Sequence, residues 1–196
     1  MSVHENLEHA EHVEHAAHSN KKIALLIAVL ALFLSFSETL GKSSQTTAIT
    51  YNVQANDLWS FFQAKTIRAT VLSTAMEQAQ VEADRTTDAD GRAKLLKLID
   101  GWKKTIARYN DEPETKEGRK QLAERAKEAE EKREFALARY HEFEFASAAF
   151  QIGIVLASAQ VITGIAALGW LSGLLGIAGL GFMTLGLWAP HLLHLG

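Results

Sequence analysis

Apolar positions along this chain gather into two blocks, and the polar sequence between them keeps a helical rhythm. Residues 23–40, IALLIAVLALFLSFSETL, are apolar apart from a few hydroxyls and Glu38. Residues 146–190 hold no Asp, Glu, Lys, Arg or His across 45 positions, about twice the ~20 residues that cross a bilayer. This second block breaks at Leu168-Gly169-Trp170-Leu171-Ser172-Gly173, which predicts two apolar helices joined by a tight turn. Between the blocks, NDLWSFFQAKTIRATVLSTAMEQAQVEA and GRAKLLKLIDGWKKTIARY place apolar residues three and four apart. That spacing belongs to helices, and strand alternation is nowhere evident.

Asn110-Asp111-Glu112-Pro113-Glu114 is the clearest punctuation. Proline there suits the first turn of a new helix, with Asp111 or Glu112 near its cap. A continuous helix is then expected from about residue 114 to residue 168, first charged and then apolar, roughly 80 Å long. The predicted fold class is all-α: an integral membrane protein with three transmembrane helices and a long helical-hairpin or coiled-coil module between the first and second. The expected segments are a His/Glu-rich tail (1–20), a first span (21–41), a charged module (42–145), a second span (146–169), a third (170–190) and a short tail (191–196).

Charge sharpens this division. Residues 42–145 carry 18 Lys+Arg against 18 Asp+Glu, whereas the 45-residue block carries none. The formal net charge of −3 lacks the concentrated basic surface that nucleic acid requires, so no nucleic-acid partner is expected. The absence of cysteine excludes disulfides, thiolate metal sites and cysteine nucleophiles. No cleavable leader is evident, since the first 20 residues are rich in His and Glu. Enzyme signatures are equally absent: there is no GxSxG, phosphate loop, HExxH or dinucleotide fingerprint. No catalysis and no cofactor are expected.

Three groups of residues are candidates for function. The first is a pair of small-residue stripes, Ala24, Ala28, Ala31 and Ser35 on the first span, and Ser172, Gly176, Gly179 and Gly186 (with Met183) on the third. Small faces let apolar helices approach closely in lipid, so these predict helix packing and a homo-oligomer. The second is intramembrane polarity: Glu38, Gln151, Ser158, Gln160 and Thr163. An ionisable group inside a span is a functional candidate, although Glu38 in the last turn can also pair with Lys42 at i+4. The third is the tail, where His9, His12, His15 and His18 recur at three-residue steps. Neighbouring members suit adventitious divalent metal, Zn, Ni or Cu, and their titration suits pH sensing; a mobile solubilising tail is the simpler reading. Trp170 and Trp188, about 27 Å apart on a helix, fit the two headgroup levels of a bilayer.

Two stretches, NDLWSFFQAKTIR (residues 56–68) and QIGIVLASAQVIT (residues 151–163), resemble the bacterial membrane family catalogued as domain of unknown function 4337, as do the Asp-Glu-Pro-Glu turn and the Lys/Glu/Ala-rich helix between them. The resemblance implies an integral membrane protein and brings no activity, substrate or cofactor. The expected function is a non-enzymatic, homo-oligomeric membrane scaffold whose partners are the bilayer and copies of itself. The alternative is an ion, proton or metal handler using Glu38, the polar residues of the second span and the His-rich tail. The expected location is the bacterial inner membrane. Lys42, Lys132, Arg133 and Arg139 outnumber Lys21 and Lys22, which favours a cytoplasmic module.

Overall fold

The computed structural model describes residues 3–192, with side chains from residue 21 onward. His9, His12, His15 and His18 therefore lie outside the described side chains. Four helices follow in order, α1 (Val3–Arg85), α2 (Ala89–Asn110), α3 (Arg119–Thr163) and α4 (Ala166–Trp188), with no strand among the described residues. Three of them, α1, α3 and α4, contain stretches long and apolar enough to cross a membrane. The described residues form two compact units: residues up to Ala48 with those from Glu134, and Ile49–Arg133.

The helix boundaries have local causes. α1 contains no proline and one glycine, Gly41. It closes where the Thr86 N–H and hydroxyl both donate to the Glu82 carbonyl (3.0 and 2.8 Å). Asp88 then caps α2, its carboxylate accepting from the N–H groups of Asp90 (3.3 Å) and Gly91 (2.8 Å), as N-cap aspartates do. α3 begins at Arg119, later than the proline predicts. Pro113 lies within a turn, Lys116 takes a left-handed φ of 57°, and the Leu122 N–H reaches the Gly118 carbonyl (2.8 Å).

The second correction concerns the turn expected at residues 168–173. The chain reverses earlier, at Gly164 and Ile165, so the helix carrying the second apolar stretch ends at Thr163 rather than 169 and the next helix starts at Ala166 rather than 170. Gly164 has φ +72°, a conformation that costs a side-chain-bearing residue about 1–2 kcal/mol. Its N–H donates to the Gln160 carbonyl (2.8 Å), and the Ile165 N–H donates to the Thr163 hydroxyl (3.3 Å). This is the usual glycine termination of a helix. Gly169 and Gly173, which suggested the break, lie inside α4.

Within both units, buried positions recur every seven residues. On α1 one series runs Ile23, Leu30, Ser37, Ser44 and then Tyr51, Leu58, Lys65, Leu72, Ala79; each is buried or half-buried. On α3 the series is Leu122, Ala129, Ala136, Phe143, Phe150 and Ala157, all buried. A seven-residue period keeps one face of a helix against its neighbour over many turns. The unit formed by Ile49–Arg133 centres on Leu58, Leu122 and Ala126, with Trp59, Phe61 and Phe62 around them. There the Trp59 indole N–H donates to Glu130 (2.8 Å).

Candidate functional site

The apolar unit packs three helical stretches, and its centre is Leu30 of α1 with Ala146 and Phe150 of α3. Phe33 stacks on Phe150 at 6.0 Å between ring centroids. α3 presents a second buried face, with Ala138, Glu142, Ala146, Ala149 and Gly153 at steps of three or four. α4 sets its small-residue stripe against α3 and α1, and Ser172, Gly176, Gly179 and Gly186 are all buried. Gly179 lies so close to Phe150 that an added Cβ would stand 2.6 Å from the ring; at Gly176 it would stand 2.8 Å from Leu30. The Ser172 hydroxyl donates to the Gly153 carbonyl (2.7 Å), and the buried Ser37 hydroxyl donates to the Phe143 carbonyl (2.8 Å). Side-chain donors to backbone carbonyls thus tie α4 to α3 and α1 to α3.

The other small-residue stripe has a different fate. Ala24, Ala28, Ala31 and Ser35 are all exposed, and Glu38 continues the same exposed face. The two stripes share a spacing, but among the described residues one is buried within the unit and the other stands exposed.

Glu38 does not take the partner its spacing suggests. Its carboxylate accepts from the Gln151 amide (3.2 Å), a residue 113 positions away, instead of being held by Lys42. A groove of about 290 Å³ opens beside it, lined by Ser37, Glu38, Gly41, Lys42, Gln45, Tyr140, Phe143, Glu144 and Ser147. Tyr140 and Phe143 bring aromatic rings to this lining, and Glu38, Lys42, Gln45 and Glu144 bring polar groups. Glu144 also approaches His141 (3.7 Å) and accepts from the Tyr140 hydroxyl (3.4 Å); its charge holds the Tyr140 phenol above its ordinary value. Among the described residues no cluster of three or more His, Asp or Glu is placed to hold a metal.

The remaining polar candidates do not converge. Ser158 and Thr163 return their hydroxyls to carbonyls four residues back, at Ile154 and Ala159 (both 2.8 Å). Gln160 lies at the far end of the unit, where its amide oxygen is buried against Gly169 without a hydrogen-bond partner. A second groove, of about 400 Å³, opens there between Lys22, Ile23, Leu26, Gln160, Ala166, Gly169 and Trp170. Trp170 and Trp188 are 80% and 87% exposed at the two ends of α4.

Two residues at the opposite end escape a sequence reading. Arg139 donates its Nε to the Gly186 carbonyl (3.1 Å) with its guanidinium 5.8 Å from the Phe143 ring. Glu142, four residues before the charge-free block, is only 4% exposed and its Oε2 has no hydrogen-bond partner. Burial pushes its carboxyl above the ordinary value, with neighbouring His141 opposing. In the sequence both sit in a charged run where solvent exposure is the default; the signal for Glu142 is its place at i−4 from Ala146.

Comparison with known proteins returns no match among curated proteins and none among solved structures. The family model described as Domain of unknown function (DUF4337) matches residues 19–189. That match takes in all three apolar helical stretches together with the charged helices between them, and the chain belongs to this family.

Proposed function

We propose that this protein is a non-enzymatic integral membrane protein that assembles with copies of itself, its apolar unit lying across the bilayer and its charged helices serving as a coiled-coil scaffold surface. One observation carries the reading: the Ala24, Ala28, Ala31 and Ser35 face of α1 is exposed, although the matching stripe of α4 is buried. In lipid, helices associate through close packing rather than hydrophobicity, and small residues permit the closest approach. Glu38 and Gln151, both exposed and bonded to each other, adjoin this face, and covering them with protein spares the cost of turning polar groups toward lipid. The inner membrane of a bacterium is the proposed setting. Lys42, Lys132, Arg133 and Arg139 against Lys21 and Lys22 favour a cytoplasmic scaffold.

The chain has no cysteine, so a single introduced thiol reports on one position. Ala28→Cys is expected to form a cross-linked dimer in membranes, and Ile177→Cys, exposed on α4, is expected to form little. Equal cross-linking at both positions, or monomers alone in native mass spectrometry from mild detergent, sinks the assembly.

A second reading, ion or proton handling, has one specific observation in its favour: Glu38 lines a groove with Glu144 and Tyr140. It predicts flux through liposomes containing the protein that falls in Glu38→Gln, and flux indifferent to that change dismisses it.

A further inference from the structure

The groove at the other end of the apolar unit differs in kind from the one beside Glu38. Two carboxylates, Glu38 and Glu144, line the first; among the described residues none lines the second. The charged residue among its described walls is the exposed Lys22, with Lys21, also exposed, next to it in the chain. The exposed Trp170 lines the same groove, and the remaining walls include apolar Ile23 and Leu26. The groove is therefore cationic at its mouth and greasy along its side. Its volume of about 400 Å³ lies in the range of pockets that hold small ligands, about 300–1,000 Å³.

We propose that this groove binds an anionic phospholipid, with the phosphate at Lys22, the glycerol region against Trp170 and the start of an acyl chain along Ile23 and Leu26. The inference rests on the membrane placement above but not on the homo-oligomer. Three features select this occupant. Charge complementarity comes first: a basic side chain near an anionic membrane surface contributes about 1 kcal/mol, and among the described residues no carboxylate lines the groove to offset it. The second is depth. Trp170 and Trp188 lie 18 residues apart, about 27 Å along a helix, against a hydrocarbon thickness of ~30 Å, which puts Trp170 and the groove at headgroup level. The third is the mixture of walls, because a soluble anion gains nothing from Ile23 and Leu26. A zwitterionic lipid would bring its own ammonium toward Lys22. The first turn of α4, whose N-cap Ile165 makes no side-chain capping bond, adds a smaller positive contribution from its backbone N–H groups.

The test uses the full chain in nanodiscs made from equal parts phosphatidylglycerol and phosphatidylethanolamine, followed by native mass spectrometry of the lipids retained. The wild type is expected to retain phosphatidylglycerol about fivefold over its bulk ratio, the preference that ~1 kcal/mol gives. Lys22→Gln is expected to abolish the preference, whereas Lys42→Gln, in the other groove, keeps it; circular dichroism checks that both variants remain folded. Retention without headgroup preference, equal loss in both variants, or displacement of bound lipid by inorganic phosphate overturns the site. So does cross-linking of a Trp170→Cys variant to a second copy, which would mean that protein fills the groove. Failure of the chain to enter nanodiscs at all is a separate result, and it counts against the membrane placement itself.

Discussion

Glycines on one helix divide according to what stands opposite them. A Cβ at Gly179 meets the fully buried Phe150 ring at 2.6 Å, while one at Gly181 or Gly173 meets nothing within 4 Å. Gly179→Ala is therefore expected to lower stability by about 1–3 kcal/mol, the usual cost of overpacking, whereas Gly181→Ala is expected to be near neutral; thermal unfolding in detergent compares the two. Glu142 poses a different problem, a carboxyl whose Oε2 is buried without a partner. Desolvation raises its pKa in the folded state, with adjacent His141 opposing, so the folded chain holds this proton more tightly than the unfolded one. Stability from this group is complete below the ordinary carboxyl value and is lost as pH rises through the raised value. Glu142→Gln is expected to match the wild type near pH 4 and to exceed it at pH 8. A variant less stable than wild type at pH 8 refutes this account.

At the scale of elements, the turn from α2 into α3 is held by side chains reaching back across it. Gln121 donates its amide N–H to Asp111 and accepts the Glu112 N–H (3.2 Å); Arg119 donates to Asn110 (3.0 Å), and Arg125 to the Lys116 carbonyl (3.2 Å). Gly118 sits at its centre, where an added Cβ would overlap the Glu112 backbone nitrogen and the Gln121 side chain. Backbone cannot step aside as a side-chain tip does. Gly118→Ala is expected to cost ~2 kcal/mol or more, read by chemical unfolding. Lys65 locks α1 to the same turn: 4% exposed, it lies 3.3 Å from Glu112 and 3.8 Å from Glu117, with the Phe61 ring 5.1 Å away. Glu117 is half exposed, so the ion pair is partly screened and the buried stem contributes much of the stabilisation. Lys65→Met, which keeps that stem, is expected to lose under ~1 kcal/mol, and Lys65→Ala about 2–3 kcal/mol. Equal losses would assign the effect to charge alone.

For the whole molecule, the decisive contrast is between two stripes of small residues that the sequence does not distinguish. A bulky change on the exposed stripe should leave the protomer intact and break assembly. Ala28→Trp is expected to shift native mass spectra from oligomer to monomer without changing helical content or the unfolding midpoint. A lowered midpoint with unchanged assembly would show that the α1 face packs within the chain.

The all-α class, the three apolar helical stretches and the charged region between them follow from the sequence alone. Hydrophobic runs and helical spacing are local properties, and no tertiary contact is needed to produce them. The family resemblance was legible for the same reason, in short runs such as residues 56–68 and 151–163. The seven-residue repeat was present but hard to see, because its seam carries Ser37, Ser44 and Lys65 as well as Leu and Ala, and composition contrast is what a periodicity reading depends on. Tertiary structure decided the rest. Gly164 rather than Gly169 makes the turn: Gly164 takes the positive φ that ends α3, while Gly169 lies inside α4, where a Cβ would overlap the Gln160 side chain. Glu38 takes Gln151 rather than Lys42, since α3 brings a competing donor that sequence distance conceals. Identical small-residue spacings became one buried seam and one open face because burial depends on what lies across from a helix, and only the folded chain supplies that neighbour.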